Sequence, residues 1–181
     1  PQADPRLSVR RGSNFVSLPL PKGVTVELPK NWVALTKNQR VTLDSVVESQ
    51  HDLAGITRPE SDLPFAANYL DDARNVAAMF NVRFYPQEEW TQDFVRGLSA
   101  DELAELDRVG RASTEAQQAN GLRLLEWRGT VRREINGIAA FLVEYRRAGD
   151  RAGTTFCVRL VRVVNAGKSF TATVSYREDS E

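Results

Sequence analysis

The sequence is poor in the residues that carry most protein chemistry. It has one cysteine, Cys157, and one histidine, His51. A lone cysteine excludes an internal disulfide, and a lone histidine leaves no second imidazole to share a metal. A Cys–His catalytic couple would have to join these two, and neither neighbourhood supports it. VVESQHDLAG puts His51 on the polar side of a helix, while Phe156 and Val158 flank Cys157 as in a buried strand. Lysine is scarce as well: with only Lys22, Lys30, Lys37 and Lys168, twenty of the 24 basic residues are arginine. No apolar run approaches the roughly 20 residues of a membrane helix. Also missing are a G-x-S-x-G elbow, a phosphate-binding glycine loop, a dinucleotide fingerprint and zinc-ligand spacing. No cofactor and no metal are expected.

What is present describes an ordinary globular chain. The 181 residues are 41% hydrophobic and 27% charged, enough for one domain with a real core. Residues 1–13, with two prolines and no periodicity, read as a flexible leader, and 14–181 as a single domain. The net charge of zero conceals an asymmetry. Residues 1–121 sum to −4, residues 122–177 to +7, and the last four to −3. Opposite charge on different layers of one fold accounts for this.

The element signals alternate between two periods. NFVSLPLPKGVTVELP predicts two short strands around Pro21-Lys22-Gly23, and NWVALT a third. Thr36 and Gln39 have capping-box spacing and open a helix that Gly55 closes. PFAANYLDDARNVAAMFNVRFYP reads as a hairpin, with Val76, Ala78, Phe80, Val82 and Phe84 on one face of its second strand. Thr91 caps a short helix, and Ser99 with Glu102 opens a longer one that ends at Gly121. Asn136-Gly137 is a strong hairpin turn, and it starts a four-strand meander. In the last strand Phe170, Ala172, Val174 and Tyr176 alternate with Thr171, Thr173, Ser175 and Arg177. Hairpin-linked strands with helices between groups predict an α+β fold around a mostly antiparallel sheet.

The order VSLPLPKGVTVELPKNWVAL, short helix, FAANY…VAAMFNVRF hairpin, acidic helix, INGIAAFLVEY and GKSFTATVSY resembles the PsbP-like superfamily. That group includes the photosystem II extrinsic subunit, a yeast Ran-binding nucleotide-release factor, and bacterial exported proteins and lipoproteins of unknown role. The resemblance implies an α-β-α sandwich and transfers no active site, because fold does not fix function. It implies a periplasmic or otherwise exported setting, with membrane tethering through a removed N-terminal segment as a further expectation. Such proteins close with a C-terminal helix on the sheet, whereas REDSE follows the last strand directly here. A sheet face without its helix, or a last strand left on an edge, would invite a second copy of the chain, and a homodimer is expected.

Candidate contact residues are sparse. Trp32, three residues after Pro29, reads as a core peg in preference to a ligand platform. Asp71-Asp72 falls at a hairpin tip and Glu88-Glu89 before a helix, where solvation and the helix dipole explain them. The arginines around RGTVRRE and EYRRAGDR sit among Glu126, Glu134 and Glu144, which favours cross-strand ion pairs over nucleic-acid binding. YPQEEWTQDF stands out: Trp90 is either a staple on the following helix or an exposed hot spot. The residues expected to meet a protein partner are Glu88, Glu89, Trp90 and Asp93, with Arg132 and Arg133 on the basic hairpin. The expected function is therefore a non-catalytic, exported binding or accessory protein. The alternative is a small hydrolase with a carboxylate-based site.

Overall fold

The computed structural model describes residues 14–53, 61–86, 90–116, 123–149, 151, 153–165 and 168–178, with no side-chain description for 46–53. The expected leader at 1–13, the helix-closing Gly55 and Gly121, and Glu88-Glu89 lie outside the described residues.

Strands β1 (Phe15–Pro19) and β2 (Thr25–Pro29) form a two-stranded antiparallel hairpin. Its turn is the tight Pro21–Gly23 stretch, where Lys22 and Gly23 take φ of 60° and 76°. Seven further strands make one sheet: β3 (Val33–Ala34), β4 (Asp62–Leu70), β5 (Val76–Tyr85), β6 (Leu124–Ile135), β7 (Ile138–Ala148), β8 (Thr155–Val163) and β9 (Ser169–Arg177). Their spatial order is β3-β4-β5-β9-β8-β7-β6, and every neighbouring pair is antiparallel. Three α-helices complete the described residues: α1 (Lys37–Leu53), α2 (Gln92–Gly97) and α3 (Ala100–Ala116). The fold is α+β around a large antiparallel sheet, as the patterning predicts.

The turn and cap chemistry is where the sequence puts it. Thr36 Oγ1 and Gln39 Oε1 reciprocate with the backbone at the start of α1, and Ser99 and Glu102 do so before α3. Asn136 and Gly137 take φ of 52° and 78°, the double left-handed turn that matches strand twist.

One half-face of the sheet carries Phe65, Ala67, Val82 and Phe84, buried with Leu28 of the hairpin. Leu18, Leu20, Val24, Val26 and Trp32 pack against this cluster. Pro29 ends β2, the Trp32 amide then bonds back to the Pro29 carbonyl at 3.0 Å, and the indole lies 6.3 Å from the Tyr69 ring. Trp32 is a core peg.

The opposite face carries the helices. Asp44 of α1 pairs with Arg83 of β5 at 2.7 Å. Val95 and Leu98 of the α2 segment are buried with Ala139, Phe141 and Val164, and Leu103 and Leu106 of α3 pack on them. Arg83, Thr171, Arg162 and Phe141 are direct cross-strand partners, so these helices share one face. The hairpin β1–β2 occupies the other side, and a second helical layer is not among the described residues.

The last strand departs from expectation. β9 lies inside the sheet, between β5 and β8, not on an edge. Its polar alternation is not an open face either: Thr171 and Ser175 are each 5% exposed, on the sheet face that carries the helices. Small hydroxyl side chains fit that position, although the Ser175 hydroxyl has no hydrogen-bond partner among the described residues.

Candidate functional site

The residues expected to meet a partner converge only in part. Trp90 and Asp93 belong to the α2 segment, and Arg132 reaches it from β6. Thr91 accepts a hydrogen bond from the Phe94 amide at 3.2 Å and caps α2. A six-residue helix is too short to persist alone, and three side chains fasten it. Gln92 donates from Nε2 to the carbonyls of Ala139 and Val164, at 3.0 and 2.8 Å, and accepts from the Ala139 amide at 2.8 Å. Arg132 donates from Nη1 to the carbonyls of Val95, Arg96 and Leu98 at 3.0, 2.8 and 2.9 Å. Its cation sits where the helix C-terminus concentrates negative partial charge. Arg96 adds a bond from Nη2 to the Gly137 carbonyl at 2.9 Å.

This frame holds aromatic surface. The Trp90 and Phe94 rings are 4.9 Å apart, and Trp90 meets the Phe141 ring edge at 6.5 Å. Trp90 is half-buried, in the manner of a staple, while Phe94 is 46% exposed. Asp93 is fully in solvent, 3.8 Å from Arg96. Arg133 is exposed on the sheet face opposite α2, and so apart from the other residues.

A second feature lies at the other end of β7, about 35 Å away at strand rise. The β4–β5 turn, the β7–β8 turn and the end of β9 enclose a cleft of about 710 Å³. Arg147, Arg151 and Arg177 line it with Val76, Met79 and Phe156, and Glu178 is the one acid among its described lining residues. Arg177 pairs with Asp71 at 2.9 Å. The Asp71 carboxyl is held below the usual carboxylate value, first by the Asn75 amide and then by Arg177. Arg151 donates to the Asn75 side-chain oxygen at 2.8 Å. The Arg147 guanidinium lies 4.9 Å over the Phe156 ring and donates to the Ala148 carbonyl at 3.1 Å. Gly149 makes that ring position available: a Cβ there would fall 2.9 Å from Phe156 Cε2.

The other residues weighed from sequence have structural positions. Cys157 is buried and unbonded to another cysteine, and the His51 side chain lies outside the described residues. Among the described residues no group of three His, Cys, Asp or Glu stands together as a metal site would require. Glu126 receives both Arg128 and Arg146, at 3.4 and 3.2 Å, and Glu144 receives Arg159 at 2.6 Å. The basic meander thus spends part of its charge on internal pairs. Asp71 is a turn residue, fixed by bonds within Asp71–Asn75.

No known family pattern and no curated protein matches the sequence. The solution structure of cyanobacterial PsbP, CyanoP, from Synechocystis sp. PCC 6803 does match the fold. It superposes with a TM-score of 0.52 at 16% identity, over 96% of this chain and 88% of that one. The chain has a PsbP-like fold. A crystallised Pseudomonas aeruginosa protein of unknown function, PA94, aligns over 92% of this chain and 85% of its own. Its TM-score of 0.37 at 15% identity carries no argument. At these identities the PsbP-like fold transfers no residue role, so both features rest on their own geometry.

The three-arginine cleft was not legible as a site. EYRRAGDR shows Arg147 and Arg151 as part of a basic hairpin, but Arg177 and Asn75 join them only through the sheet. Spacing along the chain holds no signal for that meeting.

Proposed function

We propose that the protein is a non-catalytic accessory protein of an exported compartment, acting through contact with a protein partner at the α2 corner. The observation that supports this is a short helix clamped by Gln92, Arg96 and Arg132 that presents Phe94 beside Trp90. An aromatic side chain on a rigid frame loses little ordering entropy on binding, which is what makes interface hot spots efficient. Asp93 precedes Phe94 in α2, and Asp101, Glu102 and Glu105 follow in the first turns of α3, against Arg96 as the nearest base in sequence. The fitting partner is a protein surface with an apolar pocket and a basic rim. The exported setting follows from the resemblance to exported PsbP-like proteins. No helix among the described residues is long and apolar enough to cross a membrane.

The test places a photoreactive residue at Phe94 in the natural host, and in a parallel strain at Val131 on the opposite sheet face. Cross-linking of one protein from position 94 in the extracytoplasmic fraction, suppressed by Asp93→Lys, is the expected result. Equal yields of the same adduct from both positions, or a yield indifferent to Asp93→Lys, would count against the proposal.

A further inference from the structure

The arginine-lined cleft is distant from α2, and its composition points to a different kind of ligand. Among the described residues three guanidiniums and one carboxylate line it, and that carboxylate, Glu178, is already engaged by Arg146. Arg177 is committed to Asp71. Arg147 and Arg151 are bonded instead to neutral oxygens, the Ala148 carbonyl and the Asn75 amide. Each guanidinium has five N–H donors, and a neutral acceptor leaves the cation uncompensated among the described residues. Asp150, between them in sequence, lies outside the described residues.

The rest of the lining is not what a purely structural charge cluster needs. Val76, Met79 and Phe156 give the cleft an apolar wall, and its volume is in the range of small-molecule sites. The Phe156 ring sits close to the Gly149 backbone and carries the Arg147 guanidinium 4.9 Å from its centroid, which gives the cation an aromatic support. Ser175, directly across from Met79 in the sheet, has a buried hydroxyl without a hydrogen-bond partner among the described residues.

We propose that this cleft binds a small organic anion, with an oxyanion head on Arg147 and Arg151 and an apolar body against Met79 and Phe156. The head is a carboxylate or a phosphate, both of which accept paired guanidinium N–H bonds. Arg177 and Asp71 act as a brace that fixes the turn carrying Asn75, and Asn75 in turn orients Arg151.

The experiment titrates the full chain with four probes, followed by calorimetry and by amide chemical shifts. Phenyl phosphate and benzoate carry both parts of the ligand, inorganic phosphate only the head, and benzyl alcohol only the body. The proposal expects one of the first two to bind with a dissociation constant of about 1 mM or tighter. Shifts should centre on residues 75–79 and 153–156. The stronger of the two identifies the head group. Inorganic phosphate and benzyl alcohol should each bind about tenfold more weakly or not at all. Arg151→Gln, at an exposed position, should weaken the best probe about tenfold, and Arg147→Gln likewise. Arg133→Gln, outside the cleft, should leave affinity unchanged. Thermal melts of each variant separate lost binding from lost folding, and Arg151→Gln keeps the test decisive if Arg147→Gln melts early. Failure of both aromatic anions to bind, benzyl alcohol binding as well as benzoate, or indifference to Arg151→Gln would overturn it. None of these outcomes bears on cross-linking at Phe94, so the two proposals stand or fall separately.

Discussion

The Asp107 carboxylate accepts a 2.9 Å hydrogen bond from the indole of Trp127, and the same oxygen takes the Thr130 amide. One α3 side chain thereby serves the irregular stretch of β6, where Gly129 has φ of 105° and the register slips. The indole stacks on Tyr145 at 5.8 Å and packs over Gly110. Asp107→Ala should destabilise the fold by about 2 kcal/mol, since hydrogen bonds to an ionised group are worth more than neutral ones. Urea denaturation followed by tryptophan fluorescence measures it, and an unchanged midpoint would contradict the packing account.

Arg132 and Arg133 are adjacent and should behave differently. Arg132 closes the C-terminal carbonyls of α2, whereas Arg133 is exposed. Arg132→Ala should cost about 2 kcal/mol, while Arg133→Ala should stay within about 0.5 kcal/mol. Hydrogen exchange should show faster exchange across residues 92–98 in the first variant alone.

Two glycines make a second matched pair. At Gly149 a methyl group would meet the Phe156 ring at 2.9 Å, whereas at Gly97 nothing lies within 4 Å. Gly149→Ala should destabilise by about 1–3 kcal/mol through overpacking. Gly97→Ala should be neutral or stabilising by up to about 1 kcal/mol, because the helix ends with less backbone entropy to lose. Equal melting temperatures for the two variants would refute the close approach of Gly149 to Phe156.

Acid should release the brace at the β4–β5 turn. The Asp71 carboxyl sits below its ordinary value of 3.8, from the Asn75 amide first and Arg177 after it. A lowered folded-state value means that its contribution is fully present above that ordinary value and lost as pH falls through the lower one. Carbon-detected NMR titration of Asp71 should therefore give a value below 3.8, and Arg177→Gln should raise it. No change on removing Arg177 would leave the amide as the whole cause.

Much of the architecture is written in local chemistry. The capping boxes at Thr36 and Ser99, the Asn136-Gly137 turn and the period-two run from Val76 to Phe84 each specify their element with nearby residues alone. Strand order is different in kind. Nothing near β9 says that it inserts between β5 and β8, and its Thr and Ser alternation looks like a solvent face although Thr171 and Ser175 are buried. The candidate sites divide along the same line. Trp90 is visible because an aromatic beside a cap is a local signal. The cleft joins turns separated by about a hundred positions, which only the paired sheet brings together.

If α2 is the preformed contact surface for a basic partner, the purified chain should bind the protein cross-linked at position 94 through Phe94. Wild type and Phe94→Ala are compared at low and high salt. Phe94→Ala should lose at least about tenfold in affinity, with an unchanged melting temperature, and binding should weaken at high salt. Equal affinity for the two chains, at either salt concentration, would contradict it.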